Sequence, residues 1–220
     1  MRVRPITPQL LVEELADRLA GTRPPTGPGG EAGGWLRVAV DGPPAAEPER
    51  LAAELIDPLR VRGRPAVRVD AHDFLRPASL RYEFGRTNPD SYYIGWRDEA
   101  GLRREVLDPA GPGGSGRILP SLWNARTDRA TRADYLLLPP GGVLLVSGPL
   151  LLGGGLPFDV AVHLVLSTGA LARRTPPAEQ WTLPAFARYA AEVAPETFAD
   201  VVVRVDDPRR PALVERAADA

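Results

Sequence analysis

Trp35-Leu36-Arg37-Val38-Ala39-Val40-Asp41-Gly42 is the stretch that decides the fold of this chain. Its apolar run ends on an aspartate and a glycine, which is typical of a buried strand that runs directly into a turn. Leu51, Ala52 and Leu55 then fall on one face of a helix that the pattern predicts from about residue 48 to residue 59. The stretch therefore predicts a strand, a tight turn and a helix in succession.

Apolar runs of the same kind recur along the rest of the chain. Further strands are predicted at 65–70, 142–147, 158–166 and 200–205, and extended segments at 118–123 and 135–138 are expected to pair. Helices are predicted at 7–20, 99–107, 183–193 and 211–218. This alternation predicts an α/β fold with a doubly wound, mostly parallel sheet and helices on both faces. We expect an N-terminal helix at 1–20, a flexible Gly/Pro linker at 21–34 and an α/β domain at 35–220.

The composition excludes several classes of chemistry. All 27 basic residues are arginine, and the chain contains neither lysine nor cysteine. Without cysteine, disulfides and thiolate catalysis are impossible, which is consistent with a reducing cytoplasm, and without lysine no mechanism can use a compact ammonium group. The net charge of −1 gives no basic surface, and no segment is long enough to span a membrane. We therefore expect neither nucleic acid nor membrane as a partner, and a homo-oligomer stays open.

The turn after the first strand resembles the entry to a P-loop. That motif has a glycine, four residues and then Gly-Lys-Ser/Thr, whose backbone N–H groups, lysine and hydroxyl hold phosphate and magnesium. The spacing is kept from Gly42 onward, but Glu47 stands at the second glycine, Pro48 at the lysine and Glu49 at the hydroxyl. Carboxylates repel phosphate, and proline has no N–H to donate. The sequence predicts a phosphate-binding loop that has lost the residues for its chemistry.

A longer series of segments resembles the bacterial uridine kinases of the P-loop nucleoside kinase family. The series follows the order of the chain through 38–42, 73–77, 81–82, 85–86, 92–93, 102–104, 107–109, 111–114, 199–203 and 206–207. The resemblance implies ATP- and magnesium-dependent phosphorylation of a nucleoside. Because the lysine and the magnesium ligands are missing, we expect a weak or inactive kinase. The alternative is a pseudoenzyme that binds a nucleoside-like ligand or a protein partner without phosphoryl transfer.

The resemblance also implies where a proton acceptor would lie. The family carries Ser-x-Asp-x-Phe after its second strand, and its aspartate receives the proton of the sugar hydroxyl. Aligned on Phe74, that aspartate falls on His72, with Asp73 beside it. His72 and Asp73 are therefore the candidate catalytic residues, and the alternative is that they only cap the end of the strand.

The candidate cofactor ligands come from the loop and from the region of the family's lid. They are Gly42, Ala45, Ala46, Arg173 and Arg174. The two arginines suit phosphate oxygens, although solvated surface is the alternative for them. The family also carries an acid of the magnesium site at the end of the strand at 142–147, where this chain has Ser147, so no metal site is predicted.

The acceptor side of the site keeps more of the family's residue types. The candidate substrate-binding residues are Arg76, Arg81, Tyr82, Arg86, Tyr92 and Tyr93. They offer aromatic faces and guanidinium donors, and the alternative is a loop packed by its own aromatics.

Two other features leave alternatives open. His163 lies in the middle of an apolar strand, where a hydrogen-bonded core or interface histidine is expected. The apolar loop at 149–157 is either a partner surface or a segment buried under a helix.

Overall fold

The computed structural model describes residues 2–26 and 34–215. Its strands are β1 (Arg2–Pro5), β2 (Leu36–Asp41), β3 (Ala66–Asp70), β4 (Arg117–Ile118), β5 (Trp123–Asn124), β6 (Arg129–Ala130), β7 (Leu136–Leu137), β8 (Val143–Gly148), β9 (Val160–Val165), β10 (Val201–Arg204) and β11 (Ala212–Glu215). Its helices are α1 (Pro8–Gly21), α2 (Pro48–Glu54), α3 (Ile56–Val61), α4 (Ala78–Arg81), α5 (Pro89–Gly95), α6 (Glu99–Leu102), α7 (Thr168–Arg174) and α8 (Leu183–Glu192). Of the linker predicted at 21–34, residues 27–33 lie outside the described residues.

One seven-stranded sheet forms the centre of the domain, in the order β1-β11-β10-β9-β2-β8-β3. The five strands from β10 to β3 are parallel to one another, and β11 and β1 add two antiparallel strands at one edge. The prediction of a mostly parallel α/β sheet is confirmed. Parallel strands end at the same edge of a sheet, so the loops after β2, β3 and β8 meet there.

Both faces of the sheet are covered, which explains the continuous apolar runs. Val38 and Val40 of β2 point into one hydrophobic core, and Ala39 between them points into the other. The first core also takes Leu15 and Leu19 of α1, so the N-terminal helix packs in the same core as β2. Alternate residues of a strand face opposite sides, so only a strand buried on both sides needs apolar residues throughout.

The predicted helix at 211–218 is wrong for the residues that the structure describes, because 212–215 form β11. This strand pairs with β10 on one side and with β1 on the other, and Val214 lies opposite both Val202 and Val3. Four residues are too few to separate a helical period from an alternating one, and the hydrogen bonds of the sheet edge decide the outcome. Residues 216–220 lie outside the described residues.

One other predicted helix is divided, and the predicted pairing of two extended segments is confirmed. The helix predicted at 48–59 divides at Leu55 into α2 and α3, because Pro58 has no N–H to donate to the turn before it. The extended segments at 118–123 and 135–138 do pair, through Ile118 of β4 and Leu136 of β7.

None of the described helices is both long and apolar enough to cross a bilayer.

A buried ion pair fastens the start of β2 to the residue before β9. The Arg37 guanidinium donates to both carboxylate oxygens of Asp159, over 3.0 and 2.7 Å, and the Arg37 backbone N–H donates to the same carboxylate over 2.8 Å. Both side chains are almost fully buried. The pair therefore fixes how the two central strands lie next to each other.

Candidate functional site

A cavity of about 840 Å³ lies at the edge where the parallel strands end. Its wall takes residues from the loop after β2, the turn after β3, helix α5, the loop after β8 and the segments on either side of Pro176. This is the edge at which open α/β sheets bind their ligands. The cavity is therefore the candidate functional site.

The loop after β2 forms a closed turn and not an open cradle. Residues Pro44–Ala46 adopt a 3-10 turn, in which the Ala46 N–H donates to the Pro43 carbonyl and the Glu47 N–H donates to the Pro44 carbonyl. Pro43, Pro44 and Pro48 have no N–H at all. Between residues 43 and 48, only the Ala45 N–H makes no hydrogen bond among the described residues.

The glycine that opens the loop has a packing role. A Cβ at Gly42 would lie 2.9 Å from both the Cβ and the carbonyl oxygen of Leu164, so only glycine fits against β9. Neither Gly42 nor Ala46 lines the cavity, whereas Ala45 does. Of the three predicted phosphate-binding positions in this loop, the structure places one at the cavity.

Four carboxylates from the segments after β2 and at the end of β3 line the cavity. Glu47, Glu49, Asp70 and Asp73 all line it. Burial raises the pKa of Glu49, and the charge of Asp70 raises it further. Burial also raises the pKa of Asp73, again with a contribution from Asp70. Ser147, which replaces the acid at the end of β8, is fully buried and does not line the cavity.

The two residues predicted to accept a proton directly follow β3. His72 and Asp73 sit in the 3-10 turn Ala71–Phe74 that follows β3, and both line the cavity. The cap of this turn is Asp70, whose side chain accepts a hydrogen bond from the His72 N–H over 2.9 Å. His72 is exposed, and Asp73 is half-buried. Their catalytic role stays a prediction.

The predicted substrate-binding residues fall into two groups. Tyr92 and Tyr93 line the cavity. Arg76, Arg81, Tyr82 and Arg86 lie outside its lining.

Arg81 is packed inside the protein, with only 3% of its surface exposed. Its Nε donates to the Arg76 carbonyl over 2.7 Å, and its guanidinium carbon lies 5.2 Å from the centre of the Trp96 ring. It stabilises the loop from behind the cavity wall.

Four aromatic side chains form one side of the cavity, and we call them the aromatic wall: Tyr92, Trp96, Trp181 and Phe186. Tyr92 is at its centre, with ring-centroid distances of 5.1 Å to Trp96, 5.6 Å to Trp181 and 5.9 Å to Phe186. All three contacts are edge-to-face, the arrangement that aromatic pairs favour. Sequence reasoning found only Tyr92, because the other three come from segments with no motif.

Two arginines reach the cavity, and both are engaged by the protein. Arg97 donates to the carbonyls of Pro149 and Leu150 and to the carboxylate of Glu99. Arg174 donates to the Val205 carbonyl over 2.6 Å.

Only one of the two arginines predicted to bind phosphate lies at the cavity. Arg174 lines it, whereas Arg173, the other member of the predicted pair, is exposed outside it.

A buried polar network supports the loop after β8. Asp41, at the end of β2, accepts hydrogen bonds from the Leu151 N–H over 2.8 Å and the Tyr189 hydroxyl over 3.0 Å, and its Oδ2 lies 2.7 Å from His163 Nδ1. The Tyr189 hydroxyl accepts in turn from the Leu152 N–H. The prediction of a hydrogen-bonded core histidine at 163 is confirmed. Leu150–Leu152 are buried, so this part of the 149–157 loop belongs to the core.

Within residues 2–26 and 34–215, no group of three or more His, Asp or Glu side chains is arranged so as to hold a metal ion.

Comparison with solved structures identifies the fold. No known family model and no curated protein matches the chain. It is similar to a structure described as a "Possible Uridine Kinase" from Bacillus stearothermophilus, with a TM-score of 0.70 and 18% identity over 88% of this chain and 97% of that one. It is also similar to D-glycerate 3-kinase from Cryptococcus neoformans var. grubii, with a TM-score of 0.54 and 16% identity over 84% of this chain and 80% of that one. The chain therefore has the fold of the P-loop small-molecule kinases.

Proposed function

We propose that this protein binds a small molecule in the cavity at the sheet edge and does not transfer phosphate from ATP. The observation that carries the proposal is the closed loop after β2. A P-loop holds phosphate mainly through free backbone N–H groups. Here three prolines supply none, and the amides of Ala46 and Glu47 are used inside the turn.

The residues around the loop do not fit Mg-ATP either. Glu49 stands at the position of the magnesium-binding hydroxyl, and Pro48 stands at that of the lysine. The half-buried Glu49 carboxylate, with Asp70 near it, places negative charge where a bound triphosphate would bring about four further negative charges. Phosphoryl transfer depends on charge neutralisation, so this donor set opposes it.

Kinase activity is the second candidate, and one observation favours it. His72 and Asp73 line the same cavity, at the position where the resemblance implies a proton acceptor. A base alone is insufficient, because general acid–base catalysis contributes only about 10²–10⁴-fold to rate. Of the six residues predicted to bind a nucleoside-like substrate, only Tyr92 and Tyr93 line the cavity.

A radiolabel transfer assay separates the two candidates. The protein is incubated with magnesium, γ-labelled ATP and, in turn, uridine, cytidine and glycerate. We expect no labelled product above the protein-free control. Labelled product that disappears in Asp73→Asn would refute the proposal and establish a kinase with an unusual phosphate site. The exposed Asp134→Asn, outside the cavity, is the matched control.

A further inference from the structure

The cavity differs from a phosphate site in charge as well as in backbone. We propose that its ligand is a small organic cation, in which an ammonium group is attached to a flat, apolar body. This inference rests on the proposed function, because it requires a cavity that triphosphate does not enter. Three features lead to it: the charge of the lining, the aromatic wall, and the dimensions of the cavity.

The lining has an excess of negative charge that the protein neutralises only in part. It contains six carboxylates but only two guanidinium groups, those of Arg97 and Arg174. Both arginines already donate to backbone carbonyls. Three of the six carboxylates are paired with arginines, Glu47 with Arg50, Asp70 with Arg68 and Glu99 with Arg97. The other three, Glu49, Asp73 and Glu179, make no ion pair within the described residues, so a ligand that enters meets carboxylates without a cationic partner.

The aromatic wall stands beside two of these carboxylates. Glu49 and Glu179 line the same cavity as the aromatic wall. Burial raises the pKa of the Tyr92 phenol, and the negative charges of the two carboxylates also raise it. Aromatic faces attract cations, and carboxylates near them strengthen that attraction. An ammonium group placed between the aromatic wall and the two carboxylates would interact favourably with both.

The dimensions favour an organic ligand over a metal ion. A metal ion needs several oxygen atoms that converge on one point, and no such group exists within the described residues. The volume of about 840 Å³ lies within the range of small-molecule sites. Tyr92, Trp96, Trp181 and Phe186 provide apolar surface that a flat ring would cover.

Three indole compounds of similar size test the charge preference: tryptamine, which is a cation, tryptophol, which is neutral, and indole-3-acetate, which is an anion. Each is titrated into the full-length protein by calorimetry at neutral pH and low salt. We expect tryptamine to bind at least about tenfold more tightly than tryptophol, and indole-3-acetate not to bind. Equal affinity for tryptamine and tryptophol, or no tryptamine binding up to about 1 mM, overturns the inference.

Charge-neutral variants locate the site. Glu49→Gln and Glu179→Gln are each expected to weaken tryptamine several-fold and to leave tryptophol unchanged. Asp134→Asn removes an exposed carboxylate outside the cavity and is expected to change neither. If all three variants weaken tryptamine equally, the attraction is non-specific and the inference fails. Circular dichroism checks that each variant is folded.

The same experiment separates this inference from the proposed function. Mg-ATP is titrated in parallel with the indoles. If Mg-ATP binds and tryptamine displaces it, triphosphate enters the cavity, and the closed-loop argument that carries the proposed function fails. If Mg-ATP does not bind and the three indoles show no charge preference, the proposed function stands and only the organic-cation inference fails.

Discussion

Replacement of the buried Asp41 by alanine is expected to destabilise the protein by about 4 kcal/mol. The carboxylate is fully buried and serves three partners: the Leu151 N–H, the Tyr189 hydroxyl and the His163 ring. Each buried polar group left without a partner costs about 1–3 kcal/mol. The three costs are not additive, and removal of a buried charge offsets part of them, which gives the figure of about 4 kcal/mol.

Urea denaturation measures this effect, because a lower midpoint at constant slope reports a change in the free energy of unfolding. Tyr189→Phe is the matched variant, since it removes one donor to Asp41 and the acceptor of the Leu152 N–H. We expect it to cost about 1–3 kcal/mol, and the double variant to cost less than the sum. A loss below about 1 kcal/mol in Asp41→Ala would refute the view that this network holds the loop after β8.

Three other predictions concern the loop and the core. The triple variant E47G/P48K/E49T is expected not to bind Mg-ATP in calorimetry, because the prolines before it still lack N–H groups; tight binding would show that the loop opens. Asp159→Ala is expected to cost about 3–5 kcal/mol in urea denaturation because it leaves a buried guanidinium unpaired, and a cost near zero would contradict that. Glu49→Gln is expected to raise the melting temperature near pH 7, with a gain that vanishes toward about pH 4. The gain has this sign because burial and the charge of Asp70 raise the pKa of Glu49 in the folded protein, so the stability that the protonated carboxyl contributes is lost as the pH rises through that pKa. Glutamine stays neutral at every pH and avoids this loss. An equal gain in melting temperature at every pH would contradict this cause.

The centre of the fold was predictable because its signal is local. The runs that became β2, β8 and β9 are apolar at nearly every position, which only burial on both faces requires. The edge strands β1 and β11 carry no such signal, since each depends on its partner for hydrogen bonds. The parallel strands can therefore be predicted from the sequence, and the antiparallel edge formed by β1 and β11 cannot.

The candidate site was predictable only where a motif marks it. The loss of the P-loop residues could be seen at Glu47, Pro48 and Glu49, but the closure of the loop by its own amides could not. Trp96 and Trp181 come from distant segments and meet only in the folded chain, with ring centroids 5.4 Å apart. No period or spacing links them, so the aromatic wall required the structure.

Calorimetric titration of Mg-ATP into the unmodified protein tests the central claim most directly. The claim is that the loop after β2 no longer forms a phosphate site. It predicts no saturable heat up to about 1 mM Mg-ATP, in a protein sample that circular dichroism shows to be folded. Saturable, magnesium-dependent binding in the micromolar range would contradict it.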